Sequence, residues 1–210
     1  TETRQQVSTQ LSTSEKVDTT DNILSHTIYT QADSARVVEL LKMKPTGNDA
    51  LFYARKLKGI PYVASTLEVA DPEQLVVNLR ELDCTTLVET TLALALTKRQ
   101  HSDSFADYCH NLQRLRYWDG QMNGYLSRLH YFSWWWHNNK DKGIIKEVTL
   151  PTKYTTVINV QNNYMSVHPD RYKFLKLHPE WVDSIARMEQ RCNGPDGRYL
   201  MEQYTSLSQK

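Results

Sequence analysis

The chain has 210 residues, 40% of them hydrophobic, with 25 basic residues against 24 acidic ones, for a formal net charge of +1. That length suits one domain of roughly 100–200 residues, and the near-zero charge offers no strong field for nucleic acid or an anionic membrane. The three cysteines, Cys84, Cys109 and Cys192, are odd in number, widely spaced and without a C-x-x-C pair, which argues against a disulfide framework, a zinc site and a dithiol redox motif.

The sequence begins at Thr1 without Met, which implies removal of a start segment, with a secretory signal and a periplasmic or otherwise exported location as the expectation. Residues 1–21 are mostly Ser, Thr, Gln and charged residues with few apolar anchors, and read as a disordered leader ahead of a domain over 22–210. From Ser34, Val37, Val38, Leu40 and Leu41 recur at helical spacing behind an Asp33 cap. A second helix starts at Asn48 or Asp49, turns Leu51, Phe52, Ala54 and Leu57 inward and ends at Gly59, after which Pro61 forces an extended turn. Leu75 to Leu79 has the β-branched, alternating character of a short strand, and it ends at Leu82 just before an Asp-Cys-Thr-Thr helix start.

Thr85 to Lys98 is a Leu- and Ala-rich buried helix with cations at its end, where they oppose the negative pole of the dipole. Ser104 to Arg116 is amphipathic, with Phe105, Tyr108, Cys109, Leu112 and Leu115 on one face. From Tyr117 to His137 aromatic residues crowd together, with Gly120 and Gly124 as turns, and the density indicates a wall or a groove. Three consecutive residues, Trp134, Trp135 and Trp136, cannot all face one core, so at least one should be exposed; core and sugar-stacking groove are the two readings. Asn138 to Lys142 reads as a solvated loop without a role. Strands are predicted around Ile144 to Leu150 and Thr155 to Val160, a last helix over Pro179 to Arg191, and a turn at Gly194 to Gly197. No window approaches the roughly 18 apolar residues of a membrane helix, Leu92 to Leu96 being the longest candidate.

Chemistry concentrates at Cys84, directly after Asp83 at a helix start, where unsatisfied N–H groups and the dipole favour negative charge. A small core-filling residue is the competing reading of a lone Cys. The flanking strings weigh against it. K-G-I-P-Y-V at Lys58 to Val63 is followed by L-D-C-T-T-L-V-E-T at Leu82 to Thr90, S-R-L-H-Y-F-S at Ser127 to Ser133 and Y-M-S-V-H at Tyr164 to His168. These motifs resemble the NlpC-type papain-like cysteine hydrolases, and more narrowly their N-acetylmuramoyl-L-alanine amidase-like branch, over Gly59 to about His168. The resemblance implies a papain-like α+β fold, with N-terminal helices, one bearing the nucleophile, packed on an antiparallel sheet. It implies Cys84 as nucleophile, Asp83 at the helix start, Tyr62 beside the thiol, and hydrolysis of the bond between N-acetylmuramic acid and L-alanine in peptidoglycan fragments through a thioester. Neither a metal nor a cofactor is implied.

A cysteine nucleophile needs a base within hydrogen-bond reach. His130, with Arg128 and Tyr131 beside it, forms a polar island among aromatics of the kind ligands occupy; a histidine bonded to backbone in a packed loop is the competing reading. His168 is read as orienting a loop, touching substrate or capping a helix near Pro169. His26, His101, His110, His137 and His178 carry no motif and are read as surface or packing residues. In the family resembled, the base lies downstream in a Ser-His-Val-Gly-like strand, whereas no histidine follows His178. Either that strand lies beyond Lys210 or the base has been replaced. Two other functions stand beside the hydrolase: a non-catalytic muropeptide- or carbohydrate-binding module, and a glycoside hydrolase. The latter needs two carboxylates about 5–10 Å apart, and nothing in the sequence pairs Glu68, Glu73, Glu89 or Asp119.

Overall fold

The computed structural model describes residues 23–147 and 156–199; the predicted leader and the stretch from Val148 to Thr155 lie outside them. The order is β1 (Thr27–Ile28), α1 (Gln31–Lys42), α2 (Asp49–Lys56), β2 (Leu75–Val76), α3 (Cys84–Arg99), α4 (Phe105–Arg116), α5 (Phe132–Asp141), β3 (Thr156–Val160), α6 (Tyr164–Val167), α7 (Lys173–Leu177), α8 (Val182–Cys192) and β4 (Gly194–Tyr199). This is a helix-rich α+β arrangement with two small sheets, β1 parallel to β2 and β3 antiparallel to β4. The predicted antiparallel sheet beneath the nucleophile helix is not what the described residues build. The principal neighbours of α3 are α1, α2 and α4.

Helix starts follow side-chain chemistry. Asp33 is not the cap of α1 but its third residue: Thr30 is the cap, and the two side chains satisfy each other's backbone N–H groups in a capping box. The Asp33 carboxylate also accepts from Leu79 N at 2.9 Å and from Arg80. Burial works to raise its pKa, but the hydrogen bonds from Thr30 and Leu79 and the Arg80 charge outweigh it and hold the group below the ordinary value. The same contact explains why the predicted strand stops at Val76. The Leu79 amide is held by a side chain rather than by a neighbouring strand, and Asn78 then turns the chain by accepting from Arg80 N and Glu81 N.

In α2, capped by Asn48 through Leu51 N at 3.0 Å, the buried side chain is Tyr53, one turn ahead of buried Leu57. Leu51, predicted to face inward, is 49% exposed, because a residue two positions from Tyr53 lies on the opposite side of an eight-residue helix. The face predicted for α4 is observed, with Tyr108, Cys109, Leu112 and Leu115 buried. In α5, Trp134 and Trp135 enter the core and Trp136 is half-buried, so the tryptophan run is mainly core.

The segment from Asn138 to Lys142 is not a solvated loop. Asn139 is fully buried and donates to Leu115 O and Trp135 O, while Asn138 exchanges bonds with Asp119. Lys142 Nζ donates to the Arg114 and Tyr117 carbonyls at the end of α4, and burial lowers its pKa to about 8. Ile144 to Glu147 is not a strand, and Gly194 to Gly197, predicted as a turn, belongs to β4. A second, smaller core of Tyr125, Met165, Phe174, Leu175 and Ile185 joins the chain after residue 160 to the aromatic segment. Among the described residues no helix is long and apolar enough to cross a membrane.

Candidate active site

Two backbone features place Cys84. Tyr62 forms a parallel bridge with Leu82, Val63 N donating to Leu82 O at 3.2 Å and Leu82 N to Pro61 O at 3.1 Å, so the Gly-x-Pro-Tyr turn is fastened to the start of α3. Asp83 then caps that helix. Its Oδ1 accepts from Thr86 N at 2.8 Å while Asp83 N donates to Thr86 Oγ1 at 2.8 Å. Leu87 N is taken by Asp83 O. Among the described residues, the Cys84 and Thr85 amides have no acceptor, and they belong to the positive end of a 16-residue helix.

Cys84 is exposed, with Thr85 Oγ1 4.0 Å from its sulfur. Tyr62, 70% exposed, stands beside it: the Cys84 charge, then desolvation and a hydrogen bond to Cys84, raise the Tyr62 pKa. The first turn of α3 forms one wall of a cleft of about 360 Å³. Its lining also includes Glu68, Glu89, Arg116, Arg128, Leu129, His130 and Arg171 to Lys173, with Asp83, Thr85 and Thr86 from the start of α3. The structure thus gathers Asp83, Arg128 and His130 around one cleft; Cys84 lies in sequence between the lining residues Asp83 and Thr85, with Tyr62 beside it, but neither Cys84 nor Tyr62 lines the cleft itself.

His130 Nε2 lies 2.9 Å from Tyr125 O. A carbonyl only accepts, so Nε2 carries the proton and Nδ1 is the ring's acceptor. Burial first, then the Arg128 charge, lower the His130 pKa well below 6.5 against that hydrogen bond. The imidazole is therefore neutral at pH 7.

Arg128 lines the cleft but is not free to grip a ligand. It is 5% exposed, bound to Glu68 Oε1 at 2.5 Å, 3.5 Å from Glu73, and set over the Tyr125 ring at 4.9 Å. In the same cleft lining, Arg116 and Glu89 form a buried pair at 2.8 Å, and Arg116 also donates to Val76 O at 2.6 Å. The remaining two predicted residues lie elsewhere. Tyr131 donates to Glu189 at 2.5 Å and accepts from Met165 N, which ties α5 to α6 and α8. His168 ends α6, exposed and beside the Tyr164 ring, outside the cleft lining.

Sequence reasoning missed Glu68, Arg171, Tyr172 and Lys173 as cleft residues. The clue for the last three was a basic-aromatic triplet just after a Pro-Asp turn. Among the described residues, no group of three His, Cys, Asp or Glu side chains could hold a metal ion.

The environments of the cysteines differ in a testable way. Cys109 is fully buried, and desolvation pushes its pKa up to about 12; Cys192 is half-buried. Limiting iodoacetamide on the folded protein should alkylate Cys84 first, with adducts mapped by mass; preferential labelling of Cys109 or Cys192 would contradict the site.

Comparison with known proteins bears on this geometry. Residues 53–206 match the model of the AmiA-like family, described as N-acetylmuramoyl-L-alanine amidase-like. Among solved structures, an N-acetylmuramoyl-L-alanine amidase from Bacteroides uniformis is 41% identical with a TM-score of 0.66, over 72% of this chain and 63% of its own. A second amidase of that name and organism is 37% identical, TM-score 0.60, over 72% of this chain and 62% of its own. A protein from Bacteroides fragilis named as a candidate xylanase is 44% identical, TM-score 0.61, over 67% of this chain and 60% of its own. The chain thus spans less than two thirds of these relatives. Among curated proteins nothing matches.

Proposed function

We propose, from the premise that the chain belongs to the AmiA-like, N-acetylmuramoyl-L-alanine amidase-like family, that it is a cysteine hydrolase of the NlpC-type papain-like kind acting on peptidoglycan fragments. The observation that carries this reading is an exposed Cys84 at a capped helix start, with two amide N–H groups beside it and its chain neighbours Asp83 and Thr85 lining the same cleft as His130.

In this mechanism the Cys84 sulfur attacks the carbonyl carbon of the amide between N-acetylmuramic acid and L-alanine, and its proton passes to His130 Nδ1. The tetrahedral oxyanion forms bonds to the Cys84 and Thr85 N–H groups. Collapse breaks the C–N bond, and His130 returns the proton to the leaving amine. Water then attacks the thioester, giving up a proton to His130, and Cys84 leaves as the thiol. The Asp83 box fixes the attacking geometry, and Tyr62 stands beside the sulfur. An exported location remains part of this proposal. The decisive experiment incubates the chain with purified muropeptides and weighs the products. Release of the intact stem peptide from the sugar supports the reading; cleavage within the glycan, or binding without cleavage, sinks it.

The glycosidase reading has one supporting fact, the name of the Bacteroides fragilis relative. Among the described residues, the four carboxylates weighed for it are already engaged. Glu68 and Glu73 are held by Arg128 and Glu89 by Arg116, while Asp119 is bonded to Asn138.

A pH consequence follows from His130. With its folded pKa below 6.5, activity should persist at pH 6 and fall only at lower pH, as Nδ1 becomes protonated. Stability moves the same way. Between the folded value and 6.5 the unfolded chain binds the extra proton, so stability declines as pH falls below about 6.5, by at most about 1.4 kcal/mol per pH unit from this group. Urea midpoints from pH 7 to 5, for the parent and His130→Gln, check it; parallel curves would refute it.

A further inference from the structure

We propose that Tyr164, with His168 and Tyr172, forms a saccharide subsite that continues the cleft away from Cys84; this rests on the muropeptide reading above and deepens it. A single exposed tyrosine is ordinary at a protein surface. Tyr164 differs because its ring is the outer member of a row that runs into the cleft. Its neighbour Tyr172, 6.4 Å away and edge-on, lines the cleft beside Arg171. On its other side lies the exposed His168 ring, 4.6 Å away.

The row is held from below. Met165, the residue after Tyr164, is buried in the second core, and its N–H is bonded to Tyr131 Oη at 2.9 Å and to Glu189 at 3.1 Å. That anchoring turns positions 164, 167 and 168 outward on one face of the short helix, since they are spaced by three and four residues. Tyr164 is 50% and Val167 58% exposed. The result is a partly apolar platform with a polar ring at its edge.

Pyranose rings offer one face of C–H groups to such an aromatic ring and hydroxyls around the rim for His168 and Arg171. A bare peptide has no such flat face, so the platform fits the N-acetylated sugar of the substrate while the cleft takes the amide. The occupant committed to is the disaccharide of a muropeptide, argued from the continuity of the row with the cleft through Tyr172.

The test uses the Cys84→Ala protein, so that binding is read without turnover. It is titrated calorimetrically with the disaccharide of N-acetylglucosamine and N-acetylmuramic acid, and separately with the sugar-free stem peptide. Tyr164→Ala in that background should weaken disaccharide binding about 3- to 10-fold, the range for loss of one aromatic contact, and Tyr164→Phe should restore it, because the ring and not the hydroxyl does the stacking. The loss should be confined to the sugar-bearing ligand. Equal disaccharide affinity with and without the Tyr164 ring, or no disaccharide binding at all, overturns the subsite. If the disaccharide binds through Tyr164 but the parent cleaves no muropeptide, the subsite stands and the hydrolase reading falls; cleavage without dependence on Tyr164 has the reverse meaning.

Discussion

Cys84→Ala should lower the rate of muropeptide hydrolysis by about 10⁴-fold or more, with substrate affinity changed only a few-fold. The basis is that a nucleophile acts as one unit with its base and oxyanion donors, and its removal forfeits most of what that unit contributes. The folded state has little reason to change. The side chain is exposed, and the capping box at the start of α3 is made by Asp83 and Thr86, not by Cys84. Single-turnover rates and thermal midpoints measured side by side make the check. An unchanged rate would show that another group attacks the substrate. A loss accompanied by a large drop in midpoint would show that Cys84 matters to the fold and not to chemistry.

The largest stability effect should come from the buried Arg116–Glu89 pair in the cleft lining. Arg116→Met leaves Glu89 charged or forces it to take up a proton in surroundings where both side chains are 3% exposed, and it also removes the donor to Val76 O. Breaking such a pair from one side costs about 3–5 kcal/mol, a large part of the roughly 5–15 kcal/mol that holds a domain folded. Replacing both partners with apolar residues of similar size should cost far less than the sum of the single changes. Urea unfolding of Arg116→Met, Glu89→Leu and the double variant gives that coupling. Strict additivity would mean that the pair is not the unit described.

Local chemistry was legible in the sequence. Asp-Cys-Thr-Thr needs only its own four residues to form a cap, and the amphipathic face of α4 repeats within its own length. The start of α3 could therefore be anticipated, whereas Tyr62 beside the thiol came only from the family resemblance. Arg128 could not, because the carboxylates that hold it come from Glu68 and Glu73, some sixty residues earlier. Without them it reads as a free cation awaiting a ligand. Asn138 and Asn139 were misread for the same reason: two polar residues look solvated until Asp119 and Leu115 O are found to receive them. The strand at Leu75 was read too long because its competitor, the Asp33 carboxylate, lies forty-six positions away. Short helices such as α6 and α7 are too brief to show a period, and their place is set by the second core they fill.

The cleft is assembled from segments at Ser65 to Glu68, Asp83 to Thr86, Arg128 to His130 and Arg171 to Lys173, with Glu89 and Arg116 from two helices. Each is a few residues long, and each is attached to a different part of the chain. No fragment ending before Lys173 can contain all of it, however well its own helices form, because part of the last lining segment is then missing. Turnover thus reports on the whole molecule. A preparation in which the first five helices are native while the segment after residue 160 is undocked would pass a test of helical content and still be catalytically silent.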